Sequence, residues 1–269
     1  MSLTRTQVAA LLRDRGLSPS KALGQHFLVD PNTARRIVRL AGVGEGSRVV
    51  EIGPGLGSLT LALLDAGAAV RAVELDRRLA AVVDDVTAGR CEVVVGDALL
   101  VDATTLSLGP GTRVVANLPY NVAVPIVVRL LDEAPDVGSL FVMVQTEVAE
   151  RLAAAPGSRA YGAVSVKVAY RATARVVGKV SRSVFYPEPN VDSSLVEVTR
   201  RAEVAVDPHD VGEERLFEVV RAAFAHRRKM LRRSLEGVVE PSAFADAGVE
   251  PTQRPEELDV AAFGRLARR

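Results

Sequence analysis

The tetrapeptide at residues 117–120 brings together groups that could hold a flat base with an exocyclic amine. It reads Asn117-Leu118-Pro119-Tyr120 and follows the apolar run Val114–Ala116. The Asn117 amide oxygen and the Leu118 carbonyl could accept hydrogen bonds from the two amine N–H groups, which would make the nitrogen more available to an electrophile. Pro119 stiffens the loop, and Tyr120 can stack on the base. Taken alone, the tetrapeptide equally fits a strand-to-helix turn.

A glycine-rich segment upstream could hold a second ligand. It runs from Glu51 to Gly57 and reads EIGPGLG, directly after an apolar stretch. Glycines let a backbone turn sharply and approach a ligand closely. The spacing Gly-x-Gly-x-Gly differs from the dinucleotide motif Gly-x-Gly-x-x-Gly, and the Gly-Lys-Ser/Thr ending of a phosphate loop is missing. The segment therefore predicts a small-molecule loop of another kind.

Two acids lie at the ends of the next two predicted strands. Glu74 could accept the hydroxyls of a ribose, and Asp97 could accept from the amino group of an adenine. In a parallel sheet the carboxyl ends of the strands line one edge, where ligands bind. The glycine loop, both acids and the tetrapeptide are therefore expected to meet at that edge.

The elements that position these groups alternate short apolar strands with amphipathic helices. This pattern predicts an α/β fold with a mostly parallel, Rossmann-like sheet and helices on both faces. Early strands are predicted at Arg48–Ile52, Ala69–Glu74, Glu92–Gly96, Arg113–Asn117 and Ser139–Gln145. Helices are predicted from Asp30-Pro31 to about Gly42 and at Leu59–Ala66, Arg77–Thr87, Val124–Leu131 and Thr146–Ala154.

The later part of the chain predicts a second, smaller domain. Two further strands are predicted at Arg171–Val180 and Ser194–Arg200, and the apolar pattern lapses around Glu203–Val211. The prediction is a catalytic domain over residues 1–203 and a small helical domain over 204–269. In the first of the C-terminal helices an apolar seam is expected at Phe217, Val220, Phe224, Leu231 and Leu235.

Composition excludes several classes of protein. With 48% hydrophobic and 25% charged residues, the 269-residue chain is of the soluble globular kind. It has no apolar run of the ~18 residues needed for a membrane helix and no apolar leader, so the cytoplasm is the expected location. The single cysteine, Cys91, excludes an internal disulfide and supplies no zinc cluster. Residues 1–48 carry eight Lys or Arg and three Asp or Glu, a net charge of +5.

The order of these motifs resembles the class I S-adenosylmethionine-dependent methyltransferases, and within them the KsgA (RsmA) family of rRNA adenine N6-dimethyltransferases. Six blocks carry the resemblance: Leu23–Leu28, Glu51–Gly57, Glu74 with Asp97, Asn117–Tyr120, Phe185–Ser193 and Phe224–Leu235. One position departs from the pattern, because His26 stands where many members have asparagine.

The resemblance implies a site and a reaction. Donor-binding positions would be Gln25, His26, Leu28, Gly53, Gly55, Glu74, Asp97 and Asn117. Asn117, Leu118, Pro119 and Tyr120 would hold the target adenine, and Phe185 would supply a second aromatic face. His26 is expected to pack over the donor or contact it through backbone groups rather than act as a base. The reaction would be direct methyl transfer from S-adenosylmethionine to N6, repeated on the same nitrogen and without a metal.

A basic segment is the candidate RNA contact. Its cations are Arg227, Arg228, Lys229, Arg232 and Arg233, which the sequence predicts in rows on one helix surface. The resemblance implies 16S rRNA within the small (30S) ribosomal subunit as partner, with two adjacent adenosines in a hairpin near its 3′ end as targets. A monomer is expected.

Three alternatives remain open at this point. An Erm-type 23S rRNA adenine methyltransferase would share the catalytic domain, but Leu118 and the basic segment favour the 16S enzyme. A ribosome-assembly or RNA-binding factor without turnover would keep the fold, yet it would not need the donor acids or Asn117. A small-molecule methyltransferase would not need the basic segment.

Overall fold

The computed structural model describes residues 2–20 and 23–268. The strands are β1 Phe27–Leu28, β2 Arg48–Ile52, β3 Ala69–Glu74, β4 Glu92–Val95, β5 Thr112–Asn117, β6 Val137–Gln145, β7 Ala172–Val180, β8 Phe185–Tyr186 and β9 Ser193–Arg200. The α-helices are α1 Arg5–Asp14, α2 Pro31–Leu40, α3 Ser58–Asp65, α4 Arg77–Thr87, α5 Ala123–Glu133, α6 Thr146–Leu152, α7 Ala163–Arg171, α8 Glu213–Ala225, α9 Leu231–Ser234, α10 Pro241–Ala247 and α11 Val260–Ala267.

Seven strands form a mostly parallel sheet in the order β4-β3-β2-β5-β6-β9-β7. The pairs β2/β3, β3/β4, β2/β5 and β5/β6 are parallel, and β6/β9 is antiparallel. This confirms the predicted fold class. Strands β2 and β3 have the predicted bounds, and β4, β5 and β6 differ from them by one or two residues. The carboxyl ends of β2 to β5 therefore share one sheet edge.

Helix α2 begins where its sequence signal lies. The Asp30 side chain accepts hydrogen bonds from the backbone N–H groups of Asn32 and Thr33, at 3.3 and 2.9 Å, and Pro31 occupies the first helical position. The helix buries Ala34 and Ile37 against the core. Asp30 thus ends the chain segment that carries β1, and β1 in turn borders the predicted site.

The chain forms two compact units. The first takes in the chain up to Ala149 together with Arg175–Thr199, and the second takes in Glu150–Ala174 and the chain from Arg200 onward. The segment Glu150–Ala174 thus belongs to the second unit, whereas the predicted division after residue 203 had placed it in the first.

Burial explains that difference. Tyr161 and Tyr170 lie 1% exposed in the core of the second unit, where the Tyr170 and Phe217 rings meet edge to face at 5.4 Å. The Tyr161 hydroxyl also donates to the Leu258 carbonyl at 2.8 Å.

No helix of the described ranges is long and apolar enough to cross a membrane.

Candidate active site

One cavity of the first unit opens at the shared carboxyl edge of β2 to β5. Every predicted donor-binding residue lines it: Gln25, His26, Leu28, Gly53, Gly55, Glu74, Asp97 and Asn117. Leu118, Pro119 and Tyr120 also line it. The structure thus brings together side chains that are spread over almost 100 positions of the sequence. The parallel-sheet argument predicts this for the glycine loop, Glu74, Asp97 and the tetrapeptide, whereas Gln25, His26 and Leu28 were expected from the resemblance alone.

The glycine loop after β2 adopts a backbone that other residues rarely tolerate. Gly53, Gly55 and Gly57 have φ of 68°, 60° and 86°. A Cβ at Gly55 would lie 2.8 Å from the ring carbon Cδ1 of Phe27. The Gly55 N–H also donates to Glu74 Oε2 at 3.1 Å. The loop is therefore fixed between β1 and the end of β3.

Gly55→Ala is expected to weaken binding of the methyl donor that the sequence resemblance implies about tenfold, because a left-handed backbone costs a Cβ-bearing residue ~1–2 kcal/mol and the Phe27 ring must also move. Titration calorimetry with the donor measures the change. Gly44→Ala is the matched control, since Gly44 has no positive φ and a Cβ there meets no atom within 4 Å. Equal donor affinities for the two variants would contradict the role given to the loop.

Glu74 and Asp97 are fixed by backbone groups. Glu74 is 6% exposed and accepts from the N–H groups of Gly55 and Asp76, at 3.1 and 3.0 Å. Burial raises the pKa of its carboxyl, and these hydrogen bonds oppose that rise. Asp97 Oδ1 accepts from the Leu99 N–H at 2.8 Å. A carboxylate has about four lone-pair sites, so both acids can still accept from a ligand.

Asn117 has its amide oxygen ready to accept a hydrogen bond. Its Nδ2 donates to the His26 carbonyl at 3.1 Å, whereas its Oδ1 is buried and has no hydrogen-bond partner among the described residues. A flipped amide would set two oxygens against each other, so the contact with His26 defines the orientation. The Leu118 N–H donates to the Met143 carbonyl at 3.1 Å. These bonds anchor the tetrapeptide on both sides of its first peptide unit.

Tyr120 is held at its ring and at its hydroxyl. The His26 ring stacks on it with centroids 5.4 Å apart and an interplanar angle of 28°. The Tyr120 hydroxyl lies 2.8 Å from Ser193 Oγ. Burial raises the pKa of the phenol. Tyr120 therefore presents a fixed, uncharged aromatic ring to the cavity.

His26 makes two further contacts in addition to stacking on Tyr120. Its Nδ1 lies 2.7 Å from the Pro187 carbonyl oxygen, which only accepts, so Nδ1 carries the hydrogen. Its own carbonyl accepts from Asn117. The imidazole therefore packs on Tyr120 and is held in place by Pro187, and its role toward the methyl donor stays a prediction.

Gln25 and Leu28 line the cavity, and each is held in place by a hydrogen bond that involves a backbone group. Gln25 Oε1 accepts from the Ser20 N–H at 2.9 Å, which folds this side chain back onto its own segment. The Leu28 carbonyl accepts from Ser58 Oγ at 2.6 Å, at the start of α3. Both residues thus shape the wall of the cavity.

Phe185 does not lie in the cavity wall. It is fully buried in the core cluster that contains Leu28 and Phe141, and β8 pairs it with Leu28 of β1. This corrects the expectation that it faces the base: in this structure Phe185 packs in the core, and a stacking role would require its ring to leave that core. The aromatic ring beside Tyr120 is instead that of His26.

Glu51 is a cavity residue that the sequence reasoning did not assign. It lies 1% exposed on β2, and its Oε2 has no hydrogen-bond partner among the described residues. Burial, and secondarily the charge of Glu74, raises its pKa to about 8. The available signal was a single acid inside the apolar strand Val49–Ile52, directly before the glycine loop.

The basic segment, defined as residues 227–233, lies in the second unit and is not one helix. Helix α8 ends at Ala225, and α9 begins at Leu231 with its first N–H groups donating to the carbonyls of Gln253 and Pro251. The intervening Lys229 N–H donates to the His226 carbonyl at 2.7 Å. The prediction of continuous helical rows was therefore wrong. The apolar residues of the predicted seam still share one core, because Phe217, Val220, Leu231 and Leu235 are buried in it and Phe224 packs against it.

The cations of the basic segment differ in their contacts. Arg227 pairs with Glu256 at 3.2 Å and donates to the Arg159 carbonyl, and Arg233 lies 3.8 Å from Glu236. Among the cations of the basic segment, Arg228, Lys229 and Arg232 are exposed and form no ion pair with a described residue. These three are the side chains best available to an outside anion.

The cavity fits S-adenosylmethionine. Its wall combines a glycine loop that a Cβ would fill, acids at the ends of β3 and β4, and two buried oxygens, on Glu51 and Asn117, that have no hydrogen-bond partner in the part of the chain that is described. The two oxygens, on Glu51 and Asn117, suit a cationic donor. The acids Glu74 and Asp97 suit its ribose and adenine. Together with the sheet, they define a class I S-adenosylmethionine-dependent methyltransferase, with S-adenosylmethionine as methyl donor.

The comparisons with known proteins give the family. Residues 17–268 match the model of the family described as Ribosomal RNA adenine dimethylase. Among relatives, the Ribosomal RNA small subunit methyltransferase A of Nocardia farcinica is 50% identical over 97% of this chain and 93% of its own length. That of Leifsonia xyli is 52% identical over 94% and 93%. The chain belongs to the ribosomal RNA adenine dimethylase family.

Solved structures agree with the fold. The 23S rRNA methyltransferase ErmE is 28% identical with a TM-score of 0.69, over 90% of this chain and 98% of its own. A dimethyladenosine transferase from Plasmodium falciparum has a TM-score of 0.72 at 24% identity, over 90% and 96%. The protein is thus an enzyme that methylates adenine in ribosomal RNA.

Proposed function

We propose that the protein transfers methyl groups to N6 of two adjacent adenosines in a hairpin near the 3′ end of 16S rRNA, and that its substrate is the small (30S) subunit. The observation that carries the base-binding part is the buried Oδ1 of Asn117, which has no hydrogen-bond partner among the described residues, in the same cavity wall as the fixed ring of Tyr120. An exocyclic amine supplies the donor that this oxygen lacks.

The residues of the chain activate and orient the base. Asn117 Oδ1 and the Leu118 carbonyl accept from the two N6 hydrogens, and Tyr120 stacks on the ring. The Asn117 side chain is neutral, so it adds no charge to the pocket beside the cationic donor. Bound S-adenosylmethionine would supply an electrophilic methyl group on its sulfonium, to be displaced by the N6 nitrogen that Asn117 and Leu118 hold, and the displaced N6 proton would go to water. No metal is needed for this step.

We propose that Arg228, Lys229 and Arg232 bind rRNA phosphates away from the cavity. Their exposure and their lack of ion pairs in the described chain support this assignment. Neutralising phosphates releases counterions, so this contribution depends on salt. The protein is proposed to act as a monomer in the cytoplasm.

Replacing Arg228, Lys229 and Arg232 together by alanine is expected to weaken binding to undermethylated 30S particles by about 30- to 100-fold and to flatten its salt dependence by about three contacts. Donor affinity is expected to change little. Filter binding at several salt concentrations measures the first effect, and calorimetry measures the second. The control replaces Arg77, Arg90 and Arg265 by alanine. These three are also exposed, and their replacement removes the same charge. Equal losses in both triple variants would sink the assignment.

An Erm-type activity on 23S rRNA is the competing function. The relatives named for small-subunit methylation are 50–52% identical, compared with 28% for ErmE, and this difference favours 16S rRNA. Undermethylated 30S and 50S particles incubated with labelled S-adenosylmethionine separate the two. Label mapped to adjacent adenosines of 16S rRNA supports the proposal, label in 50S particles supports the alternative, and absence of turnover on both supports an assembly factor.

A further inference from the structure

A hydrogen bond links the Tyr120 ring to a residue outside the cavity. Ser193 is the first residue of β9, is 0% exposed and pairs with Gln145 of β6. Its Oγ lies 2.8 Å from the Tyr120 hydroxyl. A hydrogen bond between two such hydroxyls leaves neither group buried without a partner. Strand β9 thereby holds the outer end of the aromatic ring.

The second contact of Tyr120 defines the direction of the ring plane. The His26 ring stacks on it, and His26 is itself held by Pro187 and Asn117. Stacking limits tilt, whereas the bond to Ser193 limits rotation about the ring axis and displacement of the hydroxyl end. The orientation of Tyr120 therefore depends on Ser193, although Ser193 does not line the cavity.

We propose that Ser193 is a positioning residue that, through Tyr120, matters most for the second of the two methyl transfers; this rests on the proposed N6 dimethylation. An unmethylated amine has two N–H groups for the Asn117 and Leu118 acceptors. The first transfer replaces one hydrogen by methyl, with the proton released to water and the C–S electron pair kept by sulfur. One N–H then remains, so one hydrogen bond to the base is lost.

The base must afterwards be oriented more by stacking than by hydrogen bonds. The methylated amine can also rotate about its bond to the ring, so the Tyr120 face has to keep the nitrogen lone pair in line with the donor. A ring released from Ser193 would therefore affect the second transfer more than the first. This dependence distinguishes positioning of Tyr120 from a general loss of packing.

Ser193→Ala is expected to slow the second transfer by about five- to tenfold and the first by less than about threefold, so that N6-methyladenosine accumulates. Time courses on undermethylated 30S particles with saturating donor, followed by nucleoside analysis, measure both products. Donor affinity, measured by calorimetry, is expected to stay unchanged. Tyr120→Phe should give the same product ratio, and the double variant should be no worse than either single one.

Ser194→Ala is the matched control. Ser194 is the next residue of the same strand, is 1% exposed, and its hydroxyl lies 3.0 Å from Thr146 Oγ1. Consecutive side chains of a strand point to opposite faces, so this variant loses a similar bond away from Tyr120. It is expected to lower the melting temperature without changing the product ratio.

The outcomes separate this inference from the proposed function. If the wild-type protein forms no dimethyladenosine in 30S particles, the proposed function fails. If it does, but Ser193→Ala keeps the wild-type product ratio, the positioning role is overturned. An equal shift of the ratio in Ser194→Ala would also overturn it. Should Ser193→Ala fail to fold, Tyr120→Phe alone decides, because it removes the same bond from the cavity side.

Discussion

Replacing Asn117 by alanine is expected to lower the rate of methyl transfer by about 10²- to 10³-fold, the range measured when one preorganised polar contact to a reacting group is removed. The variant loses Oδ1, the buried acceptor that has no partner in the described structure. Without it, one N6 hydrogen has no acceptor, and the amine keeps its lone pair delocalised in the base. Single-turnover methylation of undermethylated 30S particles measures the loss.

Stability cannot account for a loss of that size. The Asn117 side chain makes one hydrogen bond, from Nδ2 to the His26 carbonyl, and removing such a bond costs about 1 kcal/mol. The folded fraction therefore stays close to that of the wild type, which circular dichroism and a thermal melt check. Near-normal turnover in a folded Asn117→Ala variant would sink the assignment of the base pocket.

Two further variants identify which atom matters. Asn117→Asp keeps an acceptor but loses the donor to His26 and adds a charge, so it is expected to retain intermediate activity. Asn121→Ala changes another asparagine of the cavity wall, four positions later, and is expected to have a small effect. If Asn117→Asp and Asn117→Ala are equally inactive, the donor to His26 is the important group rather than the acceptor.

The sequence predicted those features that depend on parallel-sheet geometry. Glu74 and Asn117 end apolar strands and Asp97 lies just after one, and parallel strands place such residues at one edge whatever the loops do. Helix α2 was predictable because Asp30 and Pro31 act within one turn. These signals are local, or they depend only on the direction of neighbouring strands.

Features that depend on contacts distant in sequence could not be predicted. The break between α8 and α9 depends on Gln253 and Pro251, which offer carbonyls to α9. The position of Phe185 depends on the pairing of β8 with β1, because a short strand has no periodicity that shows which side chain is buried. The link from Ser193 to Tyr120 spans 73 residues and involves two hydroxyls that carry no sequence signal.

Glu51→Gln is expected to be more stable than the wild type, and the difference between their free energies of unfolding is expected to grow as the pH increases from 5 to 8. Burial raises the pKa of Glu51 from its usual 4.5 to about 8. Between these values the unfolded chain releases the proton and the folded protein keeps it, so wild-type stability falls with rising pH. A difference of about 3.5 pKa units sets an upper limit of roughly 5 kcal/mol.

Urea unfolding of both proteins at pH 5, 6, 7 and 8 measures this difference. Other groups titrate in both proteins, including Glu74, whose pKa burial also raises, but their contributions largely cancel when the variant is compared with the wild type at each pH. A constant difference across the range would mean that the pKa of folded Glu51 is not raised. An increasing advantage of the wild type would reverse the sign of the argument.

The same variant is expected to bind S-adenosylmethionine more weakly although it is more stable. A cation in the cavity favours the carboxylate, so the donor lowers the pKa of Glu51, and the wild-type decline with pH should be smaller with saturating donor. Glutamine cannot supply that charge, and its stability should depend less on the donor. Neutralising a buried acid that did not contact the donor would change stability but leave donor affinity unchanged. Opposite effects on stability and donor affinity would therefore identify Glu51 as a ligand group.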